Sequence, residues 1–469
     1  MISVSARSLA SKLHDWRASS PAYRALADRI RLLVIDGRIA PGTRLPAERE
    51  LAAELGVSRT TIAAAYAALR EDEVIESVRG SGSIARLPKR PILLPDTEAQ
   101  PLDLSKAALP AVPQLADAYT AAAGRLPTLL GDSGFDPVGL PELRLAIADR
   151  YTARGLPTTP DQILVTIGAQ HAIALLSRTL LRRGDRVLME NPTYPHAIDA
   201  VAAAGARIVA VPVDTDEGWD LGVLEQAVTR GSPTMAYLMP HNHNPTGLTM
   251  ADEDLADMLA LAAANGTTVV IDETMAELTI DGPNHLPAAA FGPAVLVGSV
   301  GKSVWGGVRV GWVRAEPNLV RTLVRARFAS DLGTPMLEQL VVADLLPQMD
   351  EILAEHVAWL REGRAHLVAE LERRFPEWHV PRAPGGLTTW VNLGAPRSSQ
   401  LVVAARTHGL VITAGPRFAV DGAFERFLRL PFSYPAEYAD RALDVLERAW
   451  RGIVDGCTVV QEDELTAVV

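Results

Sequence analysis

The chain has 469 residues, of which 48% are hydrophobic and 22% are charged, a balance typical of soluble globular proteins. This length predicts about two or three domains. The stretch from Met1 to Trp16 lacks the apolar core of a signal peptide, and no apolar run reaches the roughly 18 residues of a membrane span, which argues against a membrane protein. The one cysteine, Cys457, cannot form a disulfide within the chain. We therefore expect a cytoplasmic protein.

Charge is divided unevenly along the chain. Residues 1–90 contain 15 Lys and Arg against 10 Asp and Glu, a net charge of +5, while the whole chain carries −11. The remaining residues therefore carry −16. A basic N-terminal part on an acidic body predicts that only the N-terminal part meets a polyanion.

The N-terminal part, here called the head (residues 1–87), has the pattern of a winged helix-turn-helix. Residues 23–34 place apolar side chains at helical spacing. A second helix opens at Pro46 and is closed by Gly56, and Ser58 is suited to cap a third helix. Residues 74–84 predict two short strands around a glycine-rich tip. Two helices joined by a tight turn and followed by a hairpin form this motif.

The third helix of the head carries side chains that suit double-stranded DNA. Arg59 can read guanine with two hydrogen bonds, and the neighbouring hydroxyl groups can reach phosphate. The alternative is a helix-turn-helix used only for packing. The residues with predicted DNA contacts are Arg44, Arg49, Ser58, Arg59, Thr60, Thr61 and Gly80.

Residues 41–61, followed by Tyr66, Leu69 and the Arg-Gly-Ser-Gly run at 79–82, resemble the GntR-type winged-helix DNA-binding domain. The resemblance implies DNA contacts by Arg49, Arg59, Thr60, Thr61, Arg79 and Gly80. Asp72-Glu73 departs from the family, which usually has a glycine at the end of this helix. We therefore expect a different helix end.

Residues 88–105 are rich in proline and predict an extended linker. Arg86, Lys89 and Arg90 could add phosphate contacts or form a solvated charge cluster. The predicted division is thus the head at 1–87, the linker at 88–105, a body at 106–455 and a tail at 456–469.

The body is organised around residues 298–311, which contain Lys302. The chain has four lysines, Lys12, Lys89, Lys106 and Lys302, and 41 arginines. A lysine can lose its proton and attack a carbonyl, whereas a guanidinium stays charged. Lys302 is therefore predicted to form a Schiff base, with an ordinary surface lysine as the alternative.

Helical and strand patterns alternate through the body, which predicts an α/β fold with a mostly parallel sheet and a smaller C-terminal α/β subdomain. Ligands of such sheets bind beyond the carboxyl ends of the strands. Five candidate side chains lie just past predicted strands, which should bring them to one site: Tyr194, Asn244, Asp272, Ser299 and Lys302.

These residue types suit pyridoxal 5'-phosphate. Lys302 offers an amine for the aldehyde, and Asp272 can hold the pyridinium nitrogen protonated. Tyr194 can stack on the ring, and Asn244 can donate to the phenolate oxygen. A phosphate could be held by Ser299, Arg309 and the turn formed by Gly168, Ala169 and Gln170, with a helix predicted from about His171. Taken singly, these residues also suit a strand-end cap, a core-edge tyrosine and a turn asparagine.

About 350 residues of the body resemble the fold-type I aminotransferases. The motifs are residues 191–195, residues 244–247, Asp272, and residues 299–302 followed by 309–311. The resemblance implies the cofactor roles above, with Lys302 as the catalytic lysine. It also assigns Arg429 to the carboxylate of an amino-compound ligand.

Three positions depart from that family. Thr274 stands where a tyrosine usually bonds the cofactor's phenolic oxygen, which is expected to weaken transamination. Ala169 replaces a common phosphate-binding serine or threonine. Phe135 lies near the region from which a partner subunit's tyrosine reaches the phosphate.

A GntR-type head on an aminotransferase-like body resembles the MocR-type regulators, which are dimers that sense pyridoxal phosphate or its adduct with an amino compound. The leading hypothesis is therefore a cofactor-dependent transcription regulator. The alternatives are an active aminotransferase with an attached head, and a degenerate body that only dimerises.

Overall fold

The computed structural model describes residues 3–13, 16, 21–78, 82–86 and 101–454. The predictions for Arg79, Gly80, Lys89, Arg90 and the tail lie outside these ranges.

The described residues of the head form four α-helices and a two-stranded hairpin. Their bounds are α1 (Ala6–Leu13), α2 (Ala22–Ile35), α3 (Glu48–Leu55), α4 (Arg59–Glu71), β1 (Ile75–Val78) and β2 (Gly82–Ala85). β1 and β2 pair antiparallel. These elements form the predicted winged helix-turn-helix, which has its own apolar core.

Local chemistry explains the turn between α3 and α4. Gly56 ends α3 with φ at 61°, a left-handed conformation that glycine adopts at little cost. The Ser58 hydroxyl accepts a hydrogen bond from the Thr61 amide at 3.0 Å and so caps α4. The start of α3 was predicted two residues too early, because Pro46 and Ala47 precede the helix and Ala47 has an extended backbone.

The end of α4 differs from the expectation for Asp72-Glu73. Glu73 has φ at 56°, so a glutamate adopts the left-handed conformation that glycine favours. The Asp72 carboxylate accepts a hydrogen bond from Arg31 on α2. The helix therefore ends with left-handed backbone although no glycine is present.

The large part of the body is a helix-covered sheet. Its helices are α5 (Leu115–Arg125), α6 (Pro141–Ala153), α7 (Gly168–Leu180), α8 (Pro195–Ala203), α9 (Leu221–Gly231), α10 (Asp252–Ala264), α11 (Pro317–Arg327), α12 (Met336–Leu345) and α13 (Met349–Arg374). Its strands are β4 (Ile163–Thr166), β5 (Arg186–Asn191), β6 (Arg207–Asp214), β7 (Gly218–Trp219), β8 (Met235–Leu238), β9 (Thr268–Asp272), β10 (Val295–Ser299) and β11 (Gly311–Arg314).

These eight strands form one sheet in the order β4-β11-β10-β9-β8-β5-β6-β7. The five strands from β10 to β6 run parallel, which confirms the predicted mostly parallel sheet. β11 runs antiparallel to both β10 and β4. The start of β11 therefore lies at the same edge as the carboxyl ends of its neighbours.

The smaller subdomain contains β12 (Thr388–Asn392), α14 (Ser398–Thr407), β13 (Leu410–Val411), β14 (Thr413–Ala414), β15 (Phe427–Pro431) and α15 (Ala436–Val454). β12, β15 and β14 form an antiparallel sheet. A short strand at the start of the body, β3 (Leu102–Asp103), pairs with β13, so residues 102–103 pack as part of the body. Within the described ranges, no helix is both long enough and apolar enough to span a bilayer.

Helix α2 of the head packs against α14 of the body. Arg29 lies 3.4 Å from the Glu425 carboxylate, and both side chains are almost fully buried. Arg29 also donates to the Gly422 carbonyl at 2.8 Å, and Arg38 donates to the Pro416 carbonyl at 3.1 Å. The head is thus held on the smaller subdomain by buried polar contacts.

Candidate functional site

The carboxyl-end edge of the large sheet gathers the predicted site residues. Asp272 is the last residue of β9 and Ser299 is the last residue of β10. Gly311 opens β11 and pairs with both Ser299 and Thr166. The register therefore brings the ends of β4, β9 and β10 to one edge, as the sequence motifs predicted.

Asp272 is fixed by hydrogen bonds on both carboxylate oxygens. One oxygen accepts from the Tyr237 hydroxyl at 2.7 Å. The other accepts from the Thr274 hydroxyl at 2.7 Å and from the Thr274 amide at 2.9 Å. Burial raises the pKa of Asp272, while these hydrogen bonds and the charge of Lys302 act in the opposite direction. The carboxylate is therefore held in one orientation at the base of the site.

Lys302 lies just past β10 and is partly buried. Its amine donates to the Ala107 carbonyl at 2.5 Å. Removal from water lowers the pKa of Lys302 to about 8, with smaller contributions from Arg429 and Arg309. Asp272 opposes this shift. A substantial fraction of neutral amine is thus present near pH 8, the form that attacks a carbonyl.

A cradle for an anion lies at the start of α7. The helix begins at Gly168, three residues earlier than predicted, because Gly168 takes φ at 75° and turns the chain directly out of β4. The first amide groups of a helix have no acceptor within it and attract anions. They belong to the predicted turn of Gly168, Ala169 and Gln170.

Arg309 and Ser299 border this cradle. Arg309 has left-handed backbone at φ 57° and donates to the Ile167 carbonyl at 3.2 Å. A side chain at Gly168 would come within 2.9 Å of the Arg309 guanidinium, so glycine is needed for this approach. The Ser299 hydroxyl accepts from the Gly301 amide at 2.9 Å and donates to the Val310 carbonyl at 3.1 Å. Both side chains already have protein partners and remain at the rim of the cradle.

Several buried polar atoms around the edge lack a partner among the described residues. They include the side-chain oxygens of Asn244 and Gln170 and the Nε atom of Arg429. The Gln170 amide nitrogen donates to the His196 carbonyl at 3.1 Å. Unpaired buried polar atoms are costly, so their concentration at one edge indicates that a polar ligand completes the site.

Tyr194, at the start of α8, and Arg429, on β15 of the smaller subdomain, form another side of the site. Burial, followed by the charge of Asp272, raises the pKa of Tyr194 to about 12, so its phenol stays neutral. Arg429 is 7% exposed, lies over the Phe418 ring at 5.0 Å and donates to the Ser105 carbonyl. Burial lowers the pKa of Arg429 to about 10. A buried guanidinium held by a ring and a carbonyl is suited to receive a carboxylate.

The residues at this edge fit pyridoxal 5'-phosphate. An amine of lowered pKa, a buried carboxylate, a tyrosine and a helix N-terminus correspond to the aldehyde, ring nitrogen, ring face and phosphate of that molecule. Thr274 differs from the predicted set of cofactor contacts, because its hydroxyl donates a hydrogen bond to Asp272 and positions that carboxylate.

Sequence reasoning missed two contacts of this site. Tyr237 lies within the buried strand β8. A phenol among apolar side chains was the one feature of the sequence that could have indicated a hydrogen-bonding role. The Ala107 carbonyl that receives Lys302 is a backbone atom 195 residues away, so the side-chain pattern carried no signal for it.

The predicted DNA-reading residues form an exposed face of the head. Ser58, Arg59 and Thr60 are exposed at the start of α4, and Arg44 and Arg49 are exposed beside it. The Arg59 side chain is 73% exposed and lies 3.7 Å from the Glu48 carboxylate. Thr61 is half-buried and shares a 2.8 Å contact with the Ser58 hydroxyl. A guanidinium and hydroxyl groups thus project from one helix N-terminus.

Two family matches divide the chain as the fold does. Residues 111–446 match the family described as aminotransferase class I and II, and residues 22–84 match the bacterial regulatory proteins of the gntR family. The chain belongs to the class I and II aminotransferase family and carries a gntR-type DNA-binding domain before it.

Two relatives named as regulatory proteins align with most of this chain. The chain is 29% identical over 441 residues to the uncharacterized HTH-type transcriptional regulator YdcR of Escherichia coli (strain K12), covering 87% of this chain and 94% of that protein. It is 28% identical over 408 residues to the probable rhizopine catabolism regulatory protein MocR of Rhizobium meliloti, covering 78% of this chain and 80% of that one.

A solved structure matches the body. LysN, an alpha-aminoadipate aminotransferase from Thermus thermophilus, was crystallised with N-(5'-phosphopyridoxyl)-L-leucine. It aligns with a TM-score of 0.69 and 29% identity over 76% of this chain and 93% of that chain. The body is therefore a fold-type I aminotransferase domain, joined to a gntR-type head.

Proposed function

We propose that this protein is a pyridoxal phosphate-dependent transcription regulator of the MocR type, which binds double-stranded DNA with its head and senses the cofactor or its adduct with an amino compound in its body. The observation that carries the proposal is the coexistence, in one chain, of Lys302 beside Asp272 and an exposed DNA-reading helix start at Arg59. The two relatives named as regulatory proteins support the same assignment.

In the proposed site, Lys302 binds the cofactor covalently and Asp272 holds a proton on the ring nitrogen. Pyridoxal phosphate, when bound, supplies an electron sink for amino compounds. The residues proposed to hold it are Lys302, Asp272, Asn244, Tyr194, Ser299, Arg309, Gly168, Ala169 and Gln170, with Thr274 acting through Asp272. Arg429 receives the ligand's carboxylate. With the hydroxyl of Thr274 committed to Asp272, we expect any transamination to be weak.

We further propose a homodimer. Large apolar side chains are exposed on two neighbouring segments, where Gly333 packs closely on Asp136. Phe135 is 66% exposed on one segment, and Phe328 is 57% exposed on the other. Exposed apolar surface of this kind marks protein contacts. We propose the predicted limits 1–87, 88–105, 106–455 and 456–469, except that Leu102 and Asp103, near the end of the predicted linker, pair with β13 and belong to the body. We expect a DNA-binding regulator of this kind in the cytoplasm.

The test of the proposed function is DNA binding by the cofactor-loaded protein. We expect salt-sensitive, sequence-selective binding to DNA upstream of its own or a neighbouring gene, because phosphate contacts release counterions. Arg59→Ala should weaken selective binding by about tenfold, the size of one lost bidentate base contact. Arg230→Ala, an exposed arginine on α9, should leave it unchanged. Selective binding that survives Arg59→Ala would refute the role of α4.

A further inference from the structure

Two histidines and an aspartate from three segments of the body lie close together. One ring nitrogen of His241, one ring nitrogen of His285 and one carboxylate oxygen of Asp252 all lie within 4.8 Å of one another. His241 belongs to the loop after β8, Asp252 opens α10, and His285 lies in the segment between β9 and β10. None of the three has a role in the proposed cofactor site, so their proximity calls for another explanation.

The backbone of the loop between β8 and α10 brings two of these side chains together. The Met250 amide donates to the Pro240 carbonyl at 2.7 Å. This hydrogen bond closes the loop at its base, one residue before His241 and two residues before Asp252. The two side chains therefore start from adjacent points of the backbone although eleven positions separate them in the sequence.

Arg154, on the neighbouring Arg-Glu network, holds the third member of the cluster in place. Its guanidinium donates to the His285 carbonyl at 3.3 Å and pairs with the Glu277 carboxylate at 2.9 Å. Glu277 also pairs with Arg150. The charge of Arg154 is thus partly offset by an acid, which limits the repulsion that another cation would meet at the cluster.

His241 is the buried member of the cluster and lacks polar partners. It is 1% exposed, and neither of its ring nitrogens has a hydrogen-bond partner among the described residues. A neutral imidazole has one N–H donor and one lone pair, and burial of both without a partner is costly. The ring stacks on His285, with centroids 4.5 Å apart and planes 5° apart. Stacking occupies the faces of the rings and leaves the lone pairs, which lie in the ring planes, available for a ligand.

Both imidazoles are in the form that binds a metal. Burial, followed by the charges of His285 and Arg154, lowers the pKa of His241 to about 3. Burial also lowers the pKa of His285, although Asp252 acts in the opposite direction. Metals bind neutral imidazole, so near pH 7 neither ring has to lose a proton before an ion can bind.

The donor set indicates the class of ion. Two imidazole nitrogens and a carboxylate suit a divalent transition metal such as Zn²⁺, whereas Mg²⁺ and Ca²⁺ prefer oxygen ligands. Bonds of about 2.0–2.2 Å to Zn²⁺ place tetrahedral donors about 3.3 Å apart. Asp252 is exposed and His285 is half-buried. Small rotations of these two side chains can therefore bring all three donors onto one ion, and water can take the fourth position.

We propose that His241, Asp252 and His285 form a binding site for a divalent transition-metal ion, with Zn²⁺ as the probe. The ion ties both ends of the loop between β8 and α10 to the segment that contains His285, and a clip that closes a loop reduces the freedom of the chain within it. That loop also contains Asn244. The metal site does not depend on the proposed function, because none of its ligands belongs to the proposed cofactor set.

The test is a calorimetric titration of the untagged, cofactor-loaded full-length protein with Zn²⁺ after treatment with a chelator. We expect one Zn²⁺ per chain with a dissociation constant of about 1 μM or lower, and no comparable binding of Mg²⁺. His285→Gln and Asp252→Asn should each weaken Zn²⁺ binding by at least about 100-fold, because even the loss of an outer hydrogen-bond partner of a metal ligand costs about 10–100-fold.

Two matched controls separate the site from general surface binding. His379→Gln removes an exposed histidine beside an acid, Asp216. Glu253→Gln removes an exposed acid from the same first turn of α10 as Asp252. Both variants should bind Zn²⁺ as the unaltered protein does. Circular dichroism of all variants without metal checks that each is folded.

No Zn²⁺ binding in the micromolar range by the unaltered protein would overturn the inference. Micromolar binding that survives either His285→Gln or Asp252→Asn would also overturn it, as would equal weakening by the two control substitutions. Loss of cofactor or DNA binding before any metal is added would instead count against the proposed function.

The tie on the loop has its own readout. Hydrogen exchange of the amides in residues 241–251 should become slower when Zn²⁺ is added to the unaltered protein. The same addition should leave exchange unchanged in His285→Gln, which keeps the other two side chains. Unchanged exchange in the unaltered protein at saturating Zn²⁺, or equal slowing in His285→Gln, would contradict the tie.

Discussion

The amine of Lys302 lies where its charged form is disfavoured. Burial is the largest cause of its lowered pKa, and two guanidinium groups add to the effect more than Asp272 removes from it. Lys106, by contrast, is 75% exposed and forms a 3.1 Å ion pair with Asp103. The two lysines therefore differ in reactivity although both belong to the body.

This difference predicts how the apoprotein captures pyridoxal 5'-phosphate at different pH values. The neutral amine attacks, so the rate should rise with pH and reach half of its plateau near pH 8, the pKa of Lys302. An unperturbed lysine would give a midpoint above about pH 10. Stopped-flow absorbance measures the rate.

Arg429 provides the control for the cause of this shift. Arg429→Gln removes a neighbouring positive charge that lowers the pKa of Lys302, so the midpoint should move to higher pH. A midpoint that stays in place, or moves down, would contradict the electrostatic account.

Tyr237 predicts a second effect at the residue scale. Tyr237→Phe removes the 2.7 Å hydrogen bond to Asp272 from a buried site, which should weaken cofactor binding by about tenfold, the usual size of a lost hydrogen bond to a charged group. Equilibrium dialysis measures the dissociation constant. Tyr23→Phe, in the head, should bind as the unaltered protein does, and equal affinity of all three proteins would exclude a positioning role for Tyr237.

At the scale of elements, the N-termini of two helices shape the exposed face of the head and the anion cradle of the body. Ser58 opens α4 with its side-chain cap, and Gly168 opens α7 with left-handed backbone. The first was predicted from the capping preference of serine. The start of α7 was predicted at about His171, three residues too late. The helix follows β4 almost directly, in a turn where Gly311 packs closely on Gly168. That contact joins residues far apart in sequence.

Replacing Glu73 with glycine should make the head more stable. Its left-handed conformation costs a non-glycine residue about 1 kcal/mol or more, so Glu73→Gly should raise the free energy of unfolding of the head by about 0.5 kcal/mol after the entropy of glycine is subtracted. Thermal or urea unfolding followed by circular dichroism measures the change. Glu71→Gly, in the last turn of α4, is the matched control and should destabilise by about 0.5–1 kcal/mol. Equal losses from both substitutions would show that no strain is relieved at Glu73.

At the scale of the whole molecule, the sequence predicted each domain and the order of its motifs, because local periodicity and strand-end residues carry that information. The docking of the head on the body was not predicted. It depends on Arg29 and Glu425, which are 396 positions apart in the chain and become partners only after both domains fold.

The Arg29–Glu425 pair predicts the behaviour of the docked head. Arg29→Ala leaves a buried carboxylate without its partner, a change that typically costs about 3–5 kcal/mol, so the head should detach from the body. Small-angle scattering should then give a larger radius of gyration, and the α2 amides should exchange faster. Arg24→Ala, on the outer face of α2, should leave both unchanged. An equally compact Arg29→Ala protein would show that this pair does not hold the head.

The central claim, that this DNA-binding protein carries pyridoxal 5'-phosphate on Lys302, can be tested by one peptide map. The full-length protein is loaded with the cofactor, reduced with borohydride, digested and examined by mass spectrometry. The chain has only four lysines, so the attachment site is unambiguous. We expect a phosphopyridoxyl group on the peptide that contains Lys302 and its loss in Lys302→Ala. A group on Lys12, Lys89 or Lys106, or no reducible group at all, would contradict it.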